Sequence, residues 1–245
     1  MNRYMRADLH RIFRRIPRYI ALVLLYAGLA AIMLFLAKGR SVYEIVEILV
    51  KYISYYMVLF GLVEFIFVFN DDFVAKTMQV AIGTGICRRR VVLGKWAEHA
   101  MLCMLDFLVT VALIIICSAV RGAVFSGEPA GDVLILMLFA LLKVIGATGF
   151  AMIITFITQN TSAGMMVYLV TVFGITAALV GEIIQIGPLQ SLHLARYTYW
   201  EILQAGKSKM LIGTYSLPVI LGIAAYLFLF GFVAVKLFKK RELEF

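Results

Sequence analysis

The chain has 245 residues, 63% of them hydrophobic and 15% charged, with a mean hydropathy of +0.98 and a net charge of +9. That apolar fraction excludes an ordinary soluble domain and defines a polytopic membrane protein. The basic excess gathers at the ends of apolar runs, so topology and anionic lipid headgroups explain it better than nucleic acid.

Residues 1–18 read as a basic amphipathic helix. Met5, Leu9, Ile12, Phe13 and Ile16 recur at helical spacing, flanked by Arg3, Arg6, Arg11, Arg14, Arg15 and Arg18. Such a helix lies at the inner membrane interface with its arginines toward phosphates. The other reading is a plain topology signal. Pro17 breaks the pattern and turns the chain into the bilayer. The run after it is long and lacks a small-residue cleavage site, unlike a signal peptide.

Six spans of about 20 apolar residues are predicted, at residues 19–37, 46–69, 97–120, 133–157, 163–186 and 212–238. Inner segments carry fifteen Lys and Arg: six before the first span, five between the second and third, and four in the tail. Outer loops carry six, so both termini are expected in the cytoplasm.

Residues 70–96 (NDDFVAKTMQVAIGTGICRRRVVLGKW) are the longest polar interruption. Phe73, Val74, Thr77, Met78, Ala81 and Ile82 fall at helical spacing, with Asp72, Lys76 and Gln79 elsewhere, which predicts a short helix over 72–82. Asn70 and Asp71 are expected to cap it, and Gly83 and Gly85 to end it. Arg88, Arg89, Arg90 and Lys95 then precede the third apolar run. A capped helix shown to the cytosol is either a grip for a partner or a solvated connector.

Residues 187–211 are too apolar for free solution and too polar to span, and predict one or two short helices at the outer interface, where Tyr and Trp settle. His193 in this loop lacks acidic or Cys companions and reads as an interfacial histidine. The three cysteines (Cys87, Cys103 and Cys117) show neither a disulfide nor a zinc pattern.

Charges inside spans are costly unless paired or wetted. Asp106 and Lys143 reach similar depth on antiparallel neighbours, at about 1.5 Å per residue. They are expected to pair, either as a structural clasp or along a polar pathway. Glu64, near the inner end of span two, faces a vestibule or caps the 72–82 helix. Lys51 snorkels outward. Glu98 and His99 are expected to be solvated at the inner interface, and Glu182 to reach outer water.

The layout, with Ala81-Ile82-Gly83-Thr84-Gly85-Ile86-Cys87-Arg88-Arg89-Arg90 followed by Leu93-Gly94-Lys95, resembles an ABC-2 type transporter permease. The nearest likeness is to permeases of bacitracin and lantibiotic self-protection exporters. The stretch is similar to the family's Gly-Ile-Ser-Arg turn and the Lys that opens span three, with Cys87 where Ser is common. Asp71 and Asp72 stand near the family's Glu at the end of span two, and Ala75-Lys76-Thr77 replaces a frequent Gly-Thr.

The resemblance implies an all-α bacterial plasma-membrane protein of six transmembrane helices. It has an N-terminal interfacial helix, a cytosolic coupling helix between spans two and three, and short outer helices between spans five and six. It implies two permease chains, identical or homologous, and a separate ABC ATPase subunit in two copies. The coupling helix (Asp71, Asp72, Phe73, Lys76, Thr77, Met78 and Ile82) docks that ATPase, with Phe73 and Met78 as anchors. ATP and Mg belong to the partner, and no cofactor is expected on this chain, which has no phosphate-binding loop. Export of an amphipathic peptide, antibiotic or lipid-like substrate is the implied activity. The rival reading is an ion-coupled secondary transporter using Asp106, Lys143 and Glu64. An intramembrane hydrolase finds no paired carboxylates or histidine ligands, and a structural membrane anchor is the plainest alternative.

Overall fold

The computed structural model describes residues 2–36, 42–74, 77–120, 128–185 and 194–240. His193 and Lys76 lie outside them, and for Asp71 and Lys51 only the backbone is described. The described residues are all-helical. The helices are α1 (Asn2–Phe13), α2 (Ile16–Ala31, continued by a π turn, Ile32–Leu36), α3 (Val42–Val74), α4 (Thr77–Gly83) and α5 (Arg88–Val120). They continue with α6 (Glu128–Thr158), α7 (Thr161–Val172), α8 (Ile175–Ile184), α9 (Tyr199–Leu211) and α10 (Leu217–Lys240).

Four of these helical stretches are long and apolar enough to cross a membrane: Ile16–Phe35, Arg88–Val120, Ala130–Thr158 and Leu217–Lys240. The pair α7 and α8 makes a fifth if its two limbs count as one span. The run expected as the fifth span, 163–186, forms two helical limbs bent by 70° at a break. Gly174 causes it: its φ of +82° is left-handed, a conformation that glycine adopts without steric cost. The second expected span lies within the 33-residue α3, whose shorter apolar stretch is Tyr55–Asn70.

One boundary differs from expectation. Asn70 and Asp71 do not cap a new helix, because α3 runs on to Val74. Asp72 finds buried cationic partners there, and tertiary pairing overrides the preference of Asn and Asp for helix ends. The helix that carries the third apolar run starts at Arg88, so Lys95, Glu98 and His99 lie inside α5. The stop after α4 is as predicted: α4 ends at Gly83 and Gly85 has φ +98°, with Ile86 N–H donating to Ala81 O at 3.1 Å.

Helix α6 runs through the middle of the bundle, touching α3, α5, α7, α9 and α10. Small residues allow the close approaches that apolar transfer cannot drive inside lipid. A Cβ at Gly61 would collide with the Tyr168 hydroxyl and Val144, and one at Gly146 with the Tyr199 ring. Both tyrosines hold the chain they cross, Tyr168 donating to Val58 O at 2.9 Å and Tyr199 to Leu142 O at 2.6 Å. The latter bond tucks α9 against the middle of α6. From Tyr168, whose ring centroid lies 5.8 Å from that of Phe65, a ladder of Phe65, Phe69, Phe156 and Phe238 fills the core toward the ends of α3 and α10, with centroid spacings of 4.6, 6.1 and 4.9 Å.

One end of the bundle gathers several chain landmarks. Arg88, at the start of α5, donates to Phe238 O at 3.0 Å and Lys239 O at 3.2 Å, satisfying carbonyls at the end of α10. The turn into α7 reaches the end of α3 through Thr161 and Phe69 O at 3.5 Å. Helix α1 lies here too, with Tyr4 and Met5 against Gly94 of α5.

Candidate functional site

The site at this end is built around Lys95. A lysine inside an apolar helix must either reach water or find carboxylates, and this one is 1% exposed. It forms ion pairs with Asp8 of α1 and Asp72 of α3, donates to Val68 O at 3.1 Å, and lies 3.7 Å from Glu98. Arg11 adds a second cation, 2.6 Å from Asp8 and 3.3 Å from Asp72. The Thr77 hydroxyl donates to Asp72 Oδ1 at 2.6 Å, which ties α4 into the same knot. Four helices are thereby clamped by three carboxylates and two cations. Beside the knot a cavity of about 200 Å³ is lined by Tyr4, Ala7, Asp8, Arg11, Asp72 and Thr77.

Electrostatics at the α1 edge follow from this packing. Burial alone would raise the Asp8 carboxyl, but Lys95, with Glu98 and Arg11 alongside, outweighs it and the net direction is down. The Tyr4 hydroxyl is pushed up, first by burial and then by Asp72 and Asp8.

Deeper in the bundle, Arg18 of α2 is 1% exposed and grips Glu64 of α3, which is fully buried. Its Nε lies 3.0 Å from both carboxylate oxygens and its Nη2 2.6 Å from Oε1, a forked arrangement. Next to it the Tyr26 hydroxyl donates to Asp106 Oδ1 at 2.8 Å. His99 is also enclosed. Its Nε2 sits 3.0 Å from Gly61 O, and since a carbonyl only accepts, that nitrogen carries the proton. Cys103 Sγ lies 3.6 Å from the same Nε2 in the next turn of the helix. With Nε2 committed to a carbonyl and both side chains buried, the arrangement is one of packing rather than of a nucleophile and its base. Among the described residues no group of three or more His, Cys, Asp or Glu gathers to hold a metal ion.

The residues expected to form an exposed docking helix divide. Asp72 and Met78 are buried, at 4% and 1% exposure. Phe73 is half-buried, edge-on to Phe156 at 5.7 Å, and Ile82 packs against the core. Thr77 is exposed, and so is Val80, at 65%. The short helix covers Thr77–Gly83 rather than 72–82, and its faces differ from expectation: Met78 and Ile82 turn inward, but Gln79 is buried as well, while Thr77 and Val80 are exposed.

Asp106 and Lys143 do not pair. Asp106 binds Tyr26 within electrostatic reach of Glu64 and Arg18, whereas Lys143 lines a cavity with Lys207 of α9. No ion pair joins the two among the described residues. Equal depth along two helices left their rotation about the helix axes undetermined. Glu98 and His99, expected to be solvated, are fully buried, Glu98 beside Lys95 and His99 against Gly61 of α3. Helix α1 likewise turns Tyr4, Asp8 and Ile12 inward and leaves Phe13 and Ile16 exposed.

Sequence reasoning passed over Asp8, Arg18, Tyr26 and Lys95 as members of a site. One signal was present: Asp8 is the sole acid among six arginines in residues 1–18. The chain matches no model of a known protein family and no curated protein.

Proposed function

We propose that the chain is the membrane-spanning permease subunit of an ATP-driven exporter of the ABC-2 type. The observation that carries this reading is the elbow formed by the end of α3, α4 and the start of α5. A lever needs a stiff back and an accessible front. The Lys95 knot makes the back, and Val80, Thr84, Arg89 and Arg90 are exposed at the front. On this reading a separate ATPase subunit, in two copies, grips that front, and closure on ATP and Mg held by the partner moves α3 and α5 together. A second permease chain encloses the pathway. Six spans result when α3 counts as one and α7 with α8 as another. Both termini then face the cytoplasm of a bacterial plasma membrane, and the cargo is an amphipathic peptide, antibiotic or lipid-like compound.

Binding energy at such contacts concentrates in a few anchors, and the exposed Val80 takes the place expected for Phe73 and Met78. The test is purification of the full chain from its native membranes in mild detergent, with ATPase subunits counted and ATP hydrolysis measured. Val80→Asp should lose partner and hydrolysis while eluting as the parent does. Met78→Ala, by contrast, should lose stability by about 2–5 kcal/mol. Full partner retention and activity in Val80→Asp would overturn docking at α4.

A second reading, the ion-coupled secondary transporter using Asp106, Lys143 and Glu64, is favoured by the 70° break between α7 and α8. Broken helices line ion pathways in such carriers. Transport driven by a proton gradient in proteoliposomes without ATP would select it.

A further inference from the structure

A cavity of about 280 Å³ opens between α6, α9 and the break that separates α7 from α8. Its apolar wall includes Val58, Leu136, Phe139 and Trp200, and its polar groups are Lys143, Lys207, Glu201 and Gln204. The two lysines are half-buried, while Glu201 and Gln204 are exposed. Lys143 lies in the middle of a membrane-crossing helix and forms no ion pair among the described residues, and Lys207 has none either. An intramembrane cation is costly when nothing neutralises it. Gly174 and Ala177 add the first turn of α8 to the wall, whose free N–H groups give a positive field.

We propose that this cavity binds an amphiphile with a phosphate head, the head between Lys143 and Lys207 and the chain along Phe139 and Trp200. The charge balance inside the cavity is positive, and lysine meets phosphate as a point charge with several donors. A free phosphate ion shares the head chemistry, but it leaves the apolar wall uncovered. Concave apolar pockets with a few convergent polar groups are the ordinary form of a ligand site. The inference is independent of whether an ATPase docks at α4, since no residue of α4 lines this cavity and the test is read by binding alone.

Trp200 in the wall is a built-in reporter. The chain has two tryptophans; Trp96 packs against Gly231, donates to Ile145 O at 3.5 Å and is not part of the cavity lining, so Trp96→Phe leaves a single probe. The full chain in detergent micelles is titrated at low mole fraction with dibrominated phosphatidic acid and, separately, with zwitterionic dibrominated phosphatidylcholine. Phosphatidic acid should quench Trp200 at least tenfold more effectively, and added inorganic phosphate should not displace it. Lys143→Gln with Lys207→Gln should bring the two lipids within about twofold, and Lys143→Arg should keep the preference. Should Lys143→Gln not fold, Lys207→Gln alone should lower the preference at least threefold. Equal quenching by the two lipids, a preference that survives the double substitution, or displacement by inorganic phosphate would each overturn the proposal.

Discussion

Replacing Lys95 by Met tests whether the charge knot holds the elbow. Met keeps the apolar stem and its length but removes the cation that Asp8 and Asp72 share. Among the described cations Arg11 then faces the two carboxylates, and it is itself tied at 2.6 and 3.3 Å. Removing one partner from a buried ionic set costs roughly 3–5 kcal/mol, because the remaining charges stay desolvated. At about 1.4 kcal/mol per power of ten, that is a hundred- to few-thousand-fold loss of the folded population. Unfolding in mixed detergent micelles, followed in a Trp200→Phe background by the fluorescence of neighbouring Trp96, measures the loss. Trypsin gives a second readout, because α1 released from Asp8–Lys95 exposes the turn at Arg14 and Arg15 more fully. Lys95→Met combined with Asp8→Asn and Asp72→Asn should recover more than half of the loss. A single variant within about 1 kcal/mol of the parent, with cleavage no faster, would refute the reasoning; so would a triple variant weaker than the single.

Two further outcomes follow from geometry. The Asp8 carboxyl lies below its ordinary value of 3.8, because Lys95 and its neighbours outweigh the effect of burial. A depressed folded value means that its stabilisation is complete above about pH 4 and is lost as pH falls through the folded value. Trp96 fluorescence stepped from about pH 6 to pH 3 should therefore show an acid limb that Asp8→Asn diminishes, and an unchanged limb would contradict the assignment. Gly174→Ala should cost about 1–2 kcal/mol, since φ +82° strains any Cβ even though space is open. Gly181→Ala, inside α8 with open space and no such φ, should be neutral or stabilising by up to about 1 kcal/mol in the same unfolding assay.

The membrane-crossing helices were legible because about 20 apolar residues leave few other fates, and four of the expected runs fall on candidate spans. The stop at Gly83 and Gly85 was legible for a local reason, since backbone sterics act within a few residues. What failed needed the third dimension. Asp72 reads as a helix-start residue until Lys95, 23 positions on, is folded against it. Arg18 reads as one more topology charge, yet its partner Glu64 is 46 residues away. The expected Asp106–Lys143 pair failed because depth in the membrane fixes one coordinate and rotation about each helix fixes the other. Glu98 and His99 were expected to meet water at the inner interface, yet α5 packs them against Lys95 and against Gly61, 38 residues away in the chain.

The pairing of α1 and α2 with later helices also sets a timetable for synthesis. Asp8 is made 87 residues before Lys95, and Arg18 is made 46 before Glu64. At about 5–20 residues per second, Arg18 waits roughly 2–9 s and Asp8 roughly 4–17 s for a partner. During that interval the first apolar helix carries an unmatched guanidinium, which lipid tolerates poorly near its centre but accepts near its surface. The first helix therefore docks late, and arrival of the third and fifth helices draws the amino-terminal arm into place.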